Sequence, residues 1–117
     1  MCDTHDIKML FIYILIITNM SNIDLTPVVV TDFYSGEVLM LAYIDSLCLN
    51  LSIRTGVAHY YSRRRKRIWV KGAHSGNLHM LMTAKLDCSA TALCFGVIVL
   101  GDGLSCHSDR RSCFYRR

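Results

Sequence analysis

The chain has 117 residues, 52% of them hydrophobic and 19% charged, and carries a net charge of +4. That length suits one domain, the apolar content excludes a disordered polypeptide, and a single proline leaves no stretch that reads as a flexible linker. The positive charge is concentrated in two places. Arg54, Arg63, Arg64, Arg65, Lys66, Arg67 and Lys71 follow one another with no acidic residue between them, and Arg110, Arg111, Arg116 and Arg117 close the sequence. Such clusters are either solvated surface or seats for phosphate, on a small ligand or on nucleic acid.

Residues 1–26 form an apolar arm ahead of a domain spanning 27–117. The arm contains Met9 to Thr18, about ten apolar residues where a membrane-spanning helix needs roughly 20. Asp3 and Asp6 precede it and no small-residue cleavage site follows, so it makes a poor signal peptide. Its Ile, Phe and Tyr content reads as a buried strand or a core-seeking arm.

Pro27 to Phe33 has the β-branched density of a strand, with Pro27 suited to the first position. Tyr34 to Glu37 is a turn signal, and Val38 to Tyr43 returns as the second arm of a hairpin. Asp45 can cap a helix that runs to Thr55, with Gly56 placed to end it. Leu47, Leu51 and Arg54, with Cys48 alongside, give that helix a mostly apolar face. Four more strands follow over Ala58–Ser62, Ile68–Val70, Leu78–Leu86 and Ala92–Leu100, the Arg63–Arg67 run lying at the turn between the first two. The expectation is a small, mainly β or α+β domain of six or seven strands and one helix.

Six cysteines in so short a chain raise the question of disulfides. The high apolar content and the lack of a secretory signal argue for reduced thiols, some of them metal ligands. Cys88 follows an apolar strand, Cys106 lies in a Gly-bounded loop, and Cys113 comes seven residues later. Three thiolates from separate segments can hold zinc and leave a fourth position for water, the arrangement of a catalytic site. Cys2, Cys48 and Cys94 read as small buried hydrophobes. His107, beside Cys106, can shuttle a proton or serve as a ligand, whereas His59, His74 and His79 are less constrained. Lys71 to Asn77, with two glycines and Ser75, is either an ordinary loop or a nest of N–H groups for an anion.

Four blocks, read together, carry a resemblance: Gly36–Tyr43, His59–Asn77, Leu86–Cys88 and Cys106–Tyr115. Their order and wording over about 90 residues resemble phosphoribosyl-AMP cyclohydrolase. The pattern Ser-Arg-x-Arg-x-x-x-Trp-x-Lys-Gly followed by Ser-Gly is specific to that family, as is Cys-His followed by Arg-Arg-Ser-Cys-Phe. The resemblance implies hydrolysis of the N1–C6 bond of the purine ring in histidine biosynthesis, in the cytoplasm, by an intertwined homodimer. It implies zinc on Cys88, Cys106 and Cys113, with ligands drawn from both chains, and His107 as a proton carrier. Substrate phosphates would be held by Arg63, Arg65, Lys71, Ser75, Arg110 and Arg111. Neither nucleic acid nor membrane is an expected partner.

The sequence also departs from the family pattern. Of the three aspartates in the magnesium motif only Asp87 is kept, with Ser89 and Thr91 in place of the others, and magnesium prefers carboxylate oxygens. Ala73 stands where the family has a glutamate, and His79 where it has a glutamine. A non-catalytic zinc-containing relative that binds a nucleotide or a protein is therefore the alternative reading. A third is a basic zinc module that stacks RNA bases on Tyr60, Tyr61 and Trp69.

Overall fold

A computed structural model describes residues 25–108 and 110–117. The apolar arm, save its last two residues, and the Met9–Thr18 segment lie outside the described residues. Strands β1 (Thr26–Asp32) and β2 (Val38–Ile44) form the expected antiparallel hairpin. Asp32 makes its turn: Oδ2 accepts from the N–H groups of Tyr34 and Ser35 at 3.1 and 2.8 Å. Helix α1 (Ser46–Thr55) follows. Then come β3 (His59–Ser62), β4 (Arg67–Val70), β5 (His79–Leu86) and β6 (Leu93–Val99). The six strands and one helix are those anticipated from the sequence, each strand boundary within one residue.

The strands divide into two sheets. A four-stranded sheet has the order β2-β1-β6-β5, and β3 pairs with β4 as a separate hairpin. The pairs β1–β2 and β5–β6 are antiparallel, whereas β1 and β6 lie parallel at the centre. Alternation along β1 buries Val28 and Val30 on one face, where they meet Leu39, Ile44, Phe95 and Val97. The two-stranded hairpin closes over this core through Tyr60, which is fully buried with ring centroids of Trp69 and Phe95 at 5.3 and 6.3 Å.

Helix α1 is capped as its sequence predicts: Asp45 Oδ1 accepts from Cys48 N at 2.8 Å, and Gly56 takes the left-handed conformation with φ 78°. Its buried face differs from the expected one. Cys48, Leu49 and Ser52 point inward, while Leu47 and Arg54 are exposed. The reason is Ser52. Its hydroxyl donates to Cys48 O and accepts from His59 N, both at 2.7 Å, so a polar residue occupies the stripe that docks on β3. Cys48 behaves as the buried hydrophobe expected of it, burial pushing its thiol up to about 12.

Candidate functional site

The segment after β6 returns across the molecule and is tied down at both ends. Ser105 N and Cys106 N donate to Arg110 O at 3.1 and 2.9 Å, closing a turn that presents Cys106 and the exposed His107. Further on, Ser112 Oγ donates to Val38 O at 2.6 Å and Cys113 N to Leu39 O at 2.7 Å, which docks the tail on the start of β2. Cys106 and Cys113 thereby come close enough to affect each other's ionisation, with the charge of Lys71 acting on both. The Ser108 hydroxyl, 3.0 Å from Cys106 Sγ, favours the thiolate and holds that thiol below its ordinary value. Burial, followed by Cys106 itself, pushes Cys113 the other way.

Lys71 is delivered here by a clamp centred on Asn77. Asn77 Oδ1 accepts from Asp102 N at 2.7 Å, joining the loop after β4 to the loop after β6. Gly72 lies against the Asn77 backbone with φ 85°, and a Cβ there would collide with it. Within this loop Ala73 N donates to Val70 O, Gly76 N to Gly72 O and Asn77 N to the hydroxyl of the exposed Ser75. Three of the N–H groups that an anion nest would use are thus committed inside the loop.

Cys88 is not part of this cluster. It is exposed in the β5–β6 turn, whereas His79, at the other end of β5, touches Ser105 beside Cys106. The seven strand steps from His79 to Leu86 cover roughly 23 Å. No three His, Cys, Asp or Glu residues gather into a metal-binding group among the described residues. Within one chain the described residues thus bring together two of the three cysteines, Cys106 and Cys113. Soft sulfur donors of that kind fit zinc, with one further ligand to come from elsewhere.

Asp87 does not fit magnesium. Its Oδ1 accepts from Thr91 N at 2.8 Å and Ala92 N at 3.1 Å, while Oδ2 accepts from the hydroxyls of Ser89 and Thr91, both at 3.1 Å. These bonds, led by that from Thr91 N, lower its pKa. A hard cation needs several anionic oxygens with free lone pairs. Here the single carboxylate is engaged on both oxygens, and two of its partners are the residues standing in for the missing aspartates.

The arginines of the β3–β4 turn line a cleft of about 710 Å³ together with Tyr43, Tyr61 and Trp69. Its size and mixed lining suit a small molecule. Arg63 stacks over Tyr43 with Cζ 3.9 Å from the ring centroid, and Arg64, Arg65 and Arg67 share the rim. Arg110 covers the Tyr115 ring at 4.0 Å, and Arg111 pairs with Glu37 at 3.1 Å. Tyr60 is too deeply buried to stack a base, which removes one of the three aromatics from the RNA reading.

Several contributors escaped the sequence reading. Ser108, Glu37 and Asn77 lie inside motif blocks, but no pattern in the sequence assigns them these contacts. His79, left unconstrained above, is wholly buried between Tyr60 Oη at 2.8 Å and Ser105 Oγ at 3.3 Å. Burial, and then the charge of Lys71, lowers its pKa to about 4.

Residues 40–115 match the family model described as phosphoribosyl-AMP cyclohydrolase. Curated relatives named phosphoribosyl-AMP cyclohydrolase include one from Brucella abortus (strain 2308), 48% identical over 93 residues that cover 80% of this chain and 78% of the relative. Those from Brucella canis and Brucella suis are likewise 48% identical over 80% of this chain, and 67% of each relative is covered. The matched stretch holds the arginine-lined cleft, the Lys71 loop and the Cys106–Cys113 pair, and by that shared sequence the chain belongs to the phosphoribosyl-AMP cyclohydrolase family.

Proposed function

We propose that the protein hydrolyses the N1–C6 bond of phosphoribosyl-AMP in histidine biosynthesis, as a cytoplasmic zinc enzyme. The observation that carries this reading is the Cys106–Cys113 pair beside Lys71, set in a chain whose relatives are named for that activity. Zinc would be held by Cys106 and Cys113 of one chain and Cys88 of a second copy in a homodimer. When bound, the ion supplies water activation at neutral pH.

The chain's own residues do the remainder. Arg63 and Arg65 in the β3–β4 turn, Arg67 at the start of β4 and Lys71 just past its end are the basic groups. Arg67 and Lys71 are four residues apart, roughly 13 Å at strand rise. This separation lets the turn hold a phosphate while the base reaches the cysteine pair. The stacked Arg63–Tyr43 pair and Trp69 offer flat surfaces to the ribosyl-purine. As the oxygen of water bonds to C6, the N1–C6 bond breaks and N1 takes a proton. His107 is the exposed titratable group next to Cys106 that can carry it. Arg110 and Arg111, on the turn that follows His107, would meet the second phosphate, Arg111 by exchanging Glu37 for it.

Ala73 marks what this site lacks. It is exposed in the Lys71 loop, where a carboxylate could orient substrate or move a proton, and such a group contributes about 10²–10⁴-fold. A slow enzyme is therefore expected, with a substantial gain from Ala73→Glu. The test is a single-turnover measurement on phosphoribosyl-AMP, with zinc quantified on the same sample, for the native protein, Ala73→Glu and Cys106→Ala. Turnover in the native protein, more in Ala73→Glu and none in Cys106→Ala supports the reading. Equal silence in all three, with zinc present in the first two, leaves a nucleotide-binding relative without catalysis.

A further inference from the structure

One fully buried polar group is not used by the proposed chemistry. Tyr60, His79 and Ser105 are each fully buried, come from β3, from β5 and from the turn before Cys106, and form one hydrogen-bonded row. We infer that His79 is a positioning residue for the Cys106 turn: Tyr60 fixes its tautomer, and the N–H this leaves on Nε2 holds Ser105 in place.

The direction of the row follows from which hydroxyl the single acceptor nitrogen of a neutral imidazole takes. Tyr60 Oη lies 2.8 Å from His79 Nδ1, and this is the side-chain hydrogen bond that the buried phenol makes. A neutral imidazole can accept from only one of its two hydroxyl neighbours; the phenol is the more acidic donor and the nearer, 2.8 against 3.3 Å, so its O–H donates and Nδ1 accepts. A neutral imidazole accepting at Nδ1 carries its proton on Nε2. That nitrogen is 3.3 Å from Ser105 Oγ, which accepts. The ring stays neutral near pH 7, because burial and the charge of Lys71 both oppose protonation.

The phenol is a firm anchor. Its ring is packed between Trp69 and Phe95 and meets the imidazole edge-on at 5.8 Å between centroids. At the other end of the row, Ser105 and Cys106 donate side by side to Arg110 O, so displacing Ser105 shifts the turn that carries Cys106 and His107. The row thus links the buried core to the loop that carries Cys106. The effect on turnover rests on the function proposed above; the geometry does not.

Nitrogen chemical shifts of the His79 imidazole give the first test. In the native protein the proton is expected on Nε2, and in Tyr60→Phe, which keeps the ring, a mixture of tautomers. A proton on Nδ1 in the native protein overturns the inference. The second test compares His79→Gln, which can still donate to Ser105, with His79→Leu, which cannot. Amide exchange at Ser105 and Cys106 is expected to quicken several-fold in His79→Leu and to stay near native in His79→Gln. Turnover should fall in kcat with KM little changed, and be rescued by Gln. If His79→Leu does not fold, Tyr60→Phe supplies the exchange and kinetic comparison. Unchanged exchange and kcat in a folded His79→Leu overturn the proposal. Should the native protein prove inactive, the tautomer and exchange measurements still decide this inference while the proposed function falls.

Discussion

Asp87 illustrates how neighbouring hydroxyl and N–H donors can close a loop on a carboxylate. The hydroxyls of Ser89 and Thr91 donate to the carboxylate that a metal would otherwise share. Ser89→Asp with Thr91→Asp replaces both donors by anionic oxygens. Calorimetric titration with magnesium should then give a binding heat that the native protein lacks, and an equal heat from the native protein would refute the reading of this loop. His79 makes a prediction about acid. Its pKa in the folded chain is about 4 against an ordinary 6.5, so the unfolded chain takes up the proton first. The stabilisation is complete above pH 6.5 and declines as pH falls toward 4, by roughly 3 kcal/mol in all. Urea midpoints at pH 7 and pH 4.5 should therefore lie closer together in His79→Gln than in the native protein. The residues legible from sequence were those with distinctive chemistry in a motif: Cys106, Cys113, Lys71 and the arginine run. The row through Tyr60, His79 and Ser105 was not, because its bonds join residues 19 and 26 positions apart and no local pattern marks them.

Among the elements, most strands were readable because a β-branched or aromatic run is followed by a turn signal, as in Val28–Val30 before Tyr34–Gly36; β5, HMLMTAKL, was readable as an apolar run between turn signals. Helix α1 was readable at its ends and not on its face. Asp45 and Gly56 act locally, whereas Ser52 is buried only because β3 brings His59 N to its hydroxyl. Period alone favours Leu47 and Leu51 over a serine, and tertiary packing chose otherwise. Ser52→Ala should cost about 1–3 kcal/mol, since it strips His59 N of its acceptor in a dry interface. A chemical melt showing no loss would mean that the helix docks by apolar contact alone. The pairing of the strands was beyond the sequence too, because a period-two pattern states which face is buried and not which neighbour lies alongside.

At the scale of the whole molecule, Cys88 and the Cys106–Cys113 pair occupy opposite ends of β5, and a zinc site built from all three needs two copies. Mixing two inactive variants tests this. In a heterodimer of Cys88→Ser with Cys106→Ser, one shared site loses both ligands and the other keeps all of them. Random mixing should therefore restore about a quarter of native activity, and zinc in the same proportion. No recovery after confirmed subunit exchange would rule out a shared site. Among the described residues no helix is long and apolar enough to cross a membrane. The parallel pairing of β1 with β6 at the centre of the sheet has a kinetic consequence. Two hairpin-like pairs, β1–β2 and β5–β6, can form from near neighbours. The seam between them joins Thr31 to Phe95, 64 residues away, and closing so long a loop comes before the contacts that reward it. On a ribosome the seam must wait until β6 has emerged. The segment bearing Cys106 and Cys113 is the next to appear, so the two thiols arrive as the surface that receives them is completed.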